Sequence, residues 1–285
     1  MKVEEILQFV WEEFVYGGHL LSLGAVSIVF TAAVLLEVKI TWDFLAIIYL
    51  WTRSVYLFYQ FDDFKSDILT NFQRTKHIKK YVKYIPLIIF LSNLIIIAIA
   101  IYFNKVHALI FGFLLFLFGL CYSLFLKKIT KNIIAFKNFC ASLMGVSLLL
   151  FLIVYYPPSF FNMSLFLLMI FVFLRWFVNT SFLDLKDVEN DKKEKLLTLP
   201  IVFKKEKMFN TLNLINVLSV APIFFGFYLK LFPLFSMTLL FIIPYSFYYL
   251  NKIKTEKTNS FLNYVFVDGE FILWSVFILF GKFLL

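Results

Sequence analysis

Two short stretches of the chain gather carboxylates at a spacing that could hold a metal ion. The first reads Tyr59-Gln60-Phe61-Asp62-Asp63-Phe64-Lys65-Ser66-Asp67 and runs on to Asn71 and Arg74. The second reads Asp184-Leu185-Lys186-Asp187-Val188-Glu189-Asn190-Asp191 and continues to Thr198-Leu199-Pro200. Asp63/Asp67 and Asp187/Asp191 are i, i+4 pairs, so on helices each pair shares a face with Cβ atoms about 5–6 Å apart. Asp184 lies one turn before Asp187 on the same side. Like charges at this spacing destabilise a helix, and two opposed clusters would repel further, so a counter-charge is needed. Mg²⁺, or Mn²⁺ in its place, meets that need: it takes oxygen ligands and is commonly held by one or two carboxylates plus substrate phosphates. Lys65, Arg74, Lys186, Lys192, Lys127 and Lys128 are suited to the remaining oxygens of a diphosphate. A lone DxxxD among lysines reads as well as a solvated helix face. Two of them at equivalent places favour the metal site.

The elements that carry these motifs belong in a bilayer. Of 285 residues 62% are hydrophobic and 16% charged, against about 25% charged in globular chains. Forty Phe and fifteen Tyr exceed what a soluble core of this size could bury, and lipid tolerates the surplus. Apolar windows fall at 18–36, 40–59, 84–103, 107–126, 138–157, 160–183, 208–230, 233–250 and 264–284. The expectation is an all-α membrane protein with nine transmembrane helices in a single domain, residues 1–285. Residues 1–15 carry four Glu, with Ile6, Val10 and Phe14 on one face; they read as an interfacial helix and not as a cleavable signal. Cys121 and Cys140 have no ligand spacing and read as packed thiols.

Charge sorts by side. The loops after the second, fourth, sixth and eighth windows carry 6, 4, 7 and 3 of the 27 Lys and Arg, which places those loops in the cytoplasm of a cell-membrane protein. A net charge of +9 is thereby accounted for without nucleic acid. Arg53 recurs as Arg175 and Asp63 as Asp187, a shift of roughly 120 residues. Four helices (18–126) thus superimpose on four (138–250), with a ninth (264–284) added. Because four is even, the repeat is parallel and both acidic loops emerge on one face.

With these residues in view, the chain resembles a divergent branch of the UbiA superfamily of intramembrane polyprenyl transferases. DLKDVENDKKEKLLTLP, Asp184 to Pro200, is similar to that superfamily's DxxDxxxD followed by Thr-Leu-Pro. Asp63 and Asp67 match the aspartates of its NxxxDxxxD motif, and Tyr122-Ser123 matches its Tyr-Ser segment. Tyr59 stands in the asparagine place and Lys195 in a usual glycine place, and an Arg-Pro-rich run after the first motif is absent. The resemblance implies transfer of a polyprenyl group from a prenyl diphosphate to a lipophilic or membrane-surface acceptor. It implies Asp63, Asp67, Asp187 and Asp191 as catalytic metal carboxylates and Asp184 beside them. Tyr122, and at most the hydroxyl of Tyr59, would meet the diphosphate. Asn71, four residues after Asp67, is the candidate for the displaced amide ligand, with helix capping as its other reading. A transporter with a carboxylate-lined cation site and a catalytically inactive isoprenoid-binding homologue stay open beside the enzyme. A phosphatidyltransferase-like synthase lacks its DG-x2-AR pattern here.

Weaker signals are Asn210, Asn213 and Asn216, expected to face the bundle interior, and Glu270, expected to pair with a lysine. His19 reads as packed or interfacial, and Asp268 takes no role. The charge asymmetry predicts that Lys76→Cys and Lys204→Cys react with thiol reagents only after the cytoplasmic face is opened. Labelling of either from outside intact cells would reverse the orientation.

Overall fold

The structure, a computed structural model, describes residues 3–62, 64, 71–156, 162–255 and 260–284; all regular elements among them are helical. Helix α1 (Val3–Tyr16) leads into α2 (His19–Leu35) and α3 (Trp42–Asp62), and the short α4 (Phe72–Ile78) follows the first acidic stretch. Next come α5 (Ile85–Tyr102), α6 (Val106–Leu124), α7 (Phe136–Tyr155) and the long α8 (Met163–Lys193), which carries the second motif. The single turn α9 (Leu199–Val202) precedes α10 (Lys205–Ser219), α11 (Ala221–Tyr228), α12 (Ile242–Thr255) and α13 (Ser260–Leu284).

Helix thus occupies every apolar window. Among the described residues six helical segments are long and apolar enough to cross a bilayer: Val82–Tyr102, Phe136–Tyr155, Met163–Lys193, Glu206–Tyr228, Leu234–Lys252 and Tyr264–Leu284. The count is seven if α1 and α2, bent 51° apart, form one broken span. The expected nine is larger because α3 carries Asp43, Arg53 and Asp62, and the apolar run of α6, Val106–Tyr122, is short.

Chain ends and bends follow local chemistry. Gly18 makes the α1–α2 bend at φ +80°, and a Cβ there would meet the Tyr56 ring at 2.4 Å. Val220, followed by Pro222 in the first turn of α11, breaks the seventh window, because proline is tolerated at a helix start and not inside. Four helices end on a left-handed residue: Glu37, Asn104, Lys195 and Lys230. Each closure is completed by a backbone bond five residues back, from Val38, Lys105, Leu196 and Leu231 to Ala33, Ala100, Asp191 and Gly226. That is the Schellman arrangement, normally given to glycine.

The last helix closes on the second. Small buried residues on α2, among them Ser22, Gly24, Ala25 and Ser27, let α13 approach until a Cβ on Gly24 would meet Phe271 Cβ at 3.0 Å. Close approach between small residues is the main attraction available to helices in lipid. Helix α1 keeps Ile6, Leu7, Val10 and Trp11 exposed, as an interfacial helix does.

The in-span arginines are both paired. Arg53 reaches Glu13 of α1 at 3.6 Å and the Gly17 carbonyl at 3.4 Å. His19 also meets Glu13 (3.6 Å) and bonds the Tyr49 hydroxyl. Arg175 is fully buried, and its Nε donates to Glu270 Oε1 at 2.9 Å while a second nitrogen donates to the other oxygen. Asn216, Ser219 and Ser246 accept from the rest of the guanidinium. Tyr249 donates to Glu270 at 3.0 Å. The partner of Glu270 is therefore an arginine, Arg175 of α8, and not the expected lysine. The asparagine stripe is corrected too. Asn216 is buried but Asn210 is exposed, because a step of three residues drifts about 60° around a 3.6-residue helix.

This network binds α8, α10, α12 and α13. Removing one partner strands a buried charge, which costs about 3–5 kcal/mol. Glu270→Ala is expected to lose stability in that range in detergent unfolding, and Arg175→Met with Glu270→Leu to recover most of it.

Candidate active site

Three aspartates lie along the C-terminal part of α8. Asp184 and Asp191 are buried, and the ammonium of Lys137 bridges them at 3.0 and 2.9 Å. Asn138 donates to the second oxygen of Asp184 at 2.8 Å. Lys137 occupies the first turn of α7, where the helix dipole disfavours a cation, so the two carboxylates must hold it there. They are brought into place by backbone bonds between the loop before α7 and the turn after α8. Leu197 N–H donates to Thr130 C=O at 2.9 Å, and Ala135 N–H to Leu197 C=O at 2.8 Å. Lys195, at φ +58°, makes that turn.

Asp187, between them in sequence, faces a second group. The Asn71 amide donates to Asp187 Oδ1 at 3.2 Å and accepts from the Tyr264 hydroxyl at 3.1 Å. Asn71 stands at the N-cap of α4 yet makes no side-chain cap bond. Giving up a cap costs about 1 kcal/mol; the side chain is spent instead on linking the first acidic stretch to α8 and α13. Lys186 bonds the Tyr264 hydroxyl and lies 4.0 Å from Asp187. Arg74 sits over the Tyr264 ring, its guanidinium carbon 5.5 Å from the centroid.

The other expected residues are placed as follows. Asp63, Asp67 and Lys65 lie outside the described residues. Lys127 pairs with Glu194 at 3.0 Å, Lys128 is exposed, and Lys192 is exposed with Glu189 3.4 Å away. Tyr59 and Tyr122 line a cavity of about 280 Å³ between α2, α3, α6, α7 and α8. The Tyr59 hydroxyl donates to the Gly119 carbonyl at 3.4 Å. Cys140 also lines this cavity, and both cysteines are free thiols. Among the described residues no three His, Cys, Asp or Glu side chains form a metal-holding group.

Lys137, Asn138 and Tyr264 were not anticipated as site residues. A lysine opening an otherwise apolar helix was the available signal for Lys137. Tyr264 had none, because nearly 200 residues separate it from Asn71. Together the site's groups make an anionic face on α8, three cations beside it (Lys137, Lys186 and Arg74), and an apolar cavity in the bundle below. Such an arrangement can neutralise a diphosphate while its hydrocarbon tail stays dry.

Comparison with known proteins agrees with the fold. A UbiA homologue from Aeropyrum pernix K1 matches with a TM-score of 0.68 at 11% identity, covering 92% of this chain and 97% of that one. A digeranylgeranylglyceryl phosphate synthase in membranes matches at 0.57 and 16%, over 96% of both chains. A UbiA homologue from Archaeoglobus fulgidus, bound to DMAPP and Mg²⁺, matches at 0.56 and 17%, over 95% and 96%. No curated protein sequence matches the chain.

Lys195 yields a stability test. A left-handed non-glycine residue costs about 1–2 kcal/mol in backbone strain, partly offset by the extra unfolded entropy of glycine. Lys195→Gly is expected to stabilise the protein by about 1 kcal/mol in detergent unfolding; a destabilised variant would show that the lysine side chain holds the turn. The Asp-rich face, the α8 turn that supports it and the helical frame around them accord with the UbiA prenyltransferase family model, which matches residues 82–276, and the chain belongs to that family.

Proposed function

We propose that the chain transfers a polyprenyl group, inside the membrane, from a prenyl diphosphate to a lipophilic or membrane-surface acceptor. The carrying observation is the α8 face, where buried Asp184 and Asp191 share one ammonium while Asp187 faces Lys186, Asn71 and Tyr264. A cation held between two carboxylates indicates the charge this face requires, and its hard oxygen donors fit Mg²⁺ or Mn²⁺. Asp63, Asp67, Asp187 and Asp191 would hold the metal, with Asp184 and Asn71 beside them. Bound there, the metal supplies charge stabilisation to the departing diphosphate.

The chain's own residues do the rest. Arg74 and Lys186, both against Tyr264, bind diphosphate oxygens the metal leaves free; Lys127, Lys128 and Lys192 form the outer basic rim. The cavity lined by Tyr59 and Tyr122 takes the first isoprene units and excludes water. The allylic C1–O bond breaks with its electron pair leaving on pyrophosphate. C1 bonds to a nucleophilic atom of the acceptor, whose proton passes to solvent at the mouth. Two structures of a UbiA homologue from Archaeoglobus fulgidus, one with DMAPP and one with GPP and both with Mg²⁺, support this donor class. The nine apolar windows, each helical, support nine crossings arranged as a parallel four-helix repeat plus a final helix, in one domain. The basic loops support a site facing the cytoplasm from the cell membrane.

Prenyl transfer from radiolabelled donor to extracted native lipids is expected to require Mg²⁺ or Mn²⁺. Ala variants of Asp63, Asp67, Asp187 and Asp191 should each lose about a hundredfold or more. Asp184→Ala should lose less, since Lys137 and Asn138 already occupy its oxygens. Full activity in EDTA would refute the mechanism.

A further inference from the structure

The cavity under the carboxylate face meets a second cavity across two residues of α3, Trp51 and Val55. Trp51, Val55 and Tyr59 follow one another at i, i+4 along α3, so Trp51 lies about 12 Å deeper than Tyr59. On α7 the spacing Lys137, Cys140/Ala141, Met144, Leu148 sets the matching stripe, from the bridged aspartates down to the same depth.

Beyond Trp51 lies a second cavity of about 480 Å³ between α3, α5 and α6, closed by Phe151 of α7. Trp51 and Val55 are the two residues that line both cavities. The Trp51 indole fills the gap between them. It is buried, its ring centroid lies 5.9 Å from that of Phe151, and its Nε1 would stand 3.7 Å from a Cβ placed on Gly112. The indole thus lies in van der Waals range of the α6 backbone at Gly112. The second cavity is apolar apart from Ser54 and Asn93, and Asn93 satisfies its amide on its own helix, donating to Ile89 C=O at 2.8 Å. Away from the cavity α5 exposes Leu87, Phe90 and Leu94.

We propose that Trp51 sets the length of prenyl chain this protein accepts. Resting on the donor reading above, the first cavity holds the isoprene units next to the diphosphate. The distal units of a longer donor must turn the indole aside to enter the groove between α3, α5 and α6. Trp51 is the larger of the two side chains shared by that groove and the first cavity, and the groove's lining suits hydrocarbon. Its occupant is therefore the donor's own tail.

The test is equilibrium binding of geranyl, farnesyl and geranylgeranyl diphosphate, with Mg²⁺, to the full chain in lipid nanodiscs. Trp51→Ala is expected to raise the affinity for geranylgeranyl relative to geranyl diphosphate by at least about tenfold, the scale on which apolar pockets discriminate chain length. Trp51→Leu, closer in volume, should shift the ratio in the same direction by less, and serves if the alanine variant does not fold. Reblocking the groove in the Trp51→Ala background with Ala108→Phe should return the ratio toward the original. If the unaltered protein binds geranyl diphosphate and the ratio stays fixed in both Trp51 variants, the partition is overturned while the donor reading stands. If the unaltered protein binds none of the three, the donor reading itself fails, and this inference with it.

Discussion

Lys137 lies between Asp184 and Asp191, and the same demand recurs at three levels of the molecule: a charge withdrawn from water must meet its opposite in protein. Stranding one costs several kcal/mol, more than most single contacts return. Arg175 meets Glu270 across the interior, Arg53 meets Glu13 at the interface, and Lys137 meets two aspartates at the mouth. Each pairing links segments distant in sequence. The fold is therefore pinned at points where slippage would expose a charge, and between those points apolar packing is free to vary.

The three pairings differ in how completely they are satisfied, and function follows that difference. Around Arg175 and Glu270, hydroxyls and amides use most of the remaining donors and acceptors, so the cluster is closed and rigid. At the mouth, three carboxylates share one bridging lysine, a lysine at 4.0 Å and two amides. Negative charge is in surplus there, which is what a site for a metal and an anionic substrate requires. Rigid below and under-neutralised above, the bundle presents an anion-and-metal site over a dry cavity.

The turn after α8 shows how local strain serves that site. Lys195 takes a left-handed conformation that glycine would adopt without cost. The closure lets Leu197 pair with Thr130 and Ala135, and that pairing sets Lys137 against Asp191. Asn71 likewise forgoes a cap bond to reach Asp187 and Tyr264. Both are local sacrifices whose return lies in long-range contacts.

By itself the sequence determined the helical class, the position of every apolar helix, the loops in which positive charge gathers, and the acidic face of α8. Those are periodic or compositional properties, and helices in lipid have few alternatives because every backbone polar group must be satisfied internally. Only the tertiary structure decided which charges meet. Nothing in the sequence alone assigned Lys137 or Tyr264 to the site, and Glu270 read as a lysine's partner. Their roles depend on helices brought together from 46 to 193 residues apart. One sequence without pairing information carries no trace of such distances. Periodicity describes a helix's faces; which face another helix covers is decided by close packing and by the cost of an unpaired charge.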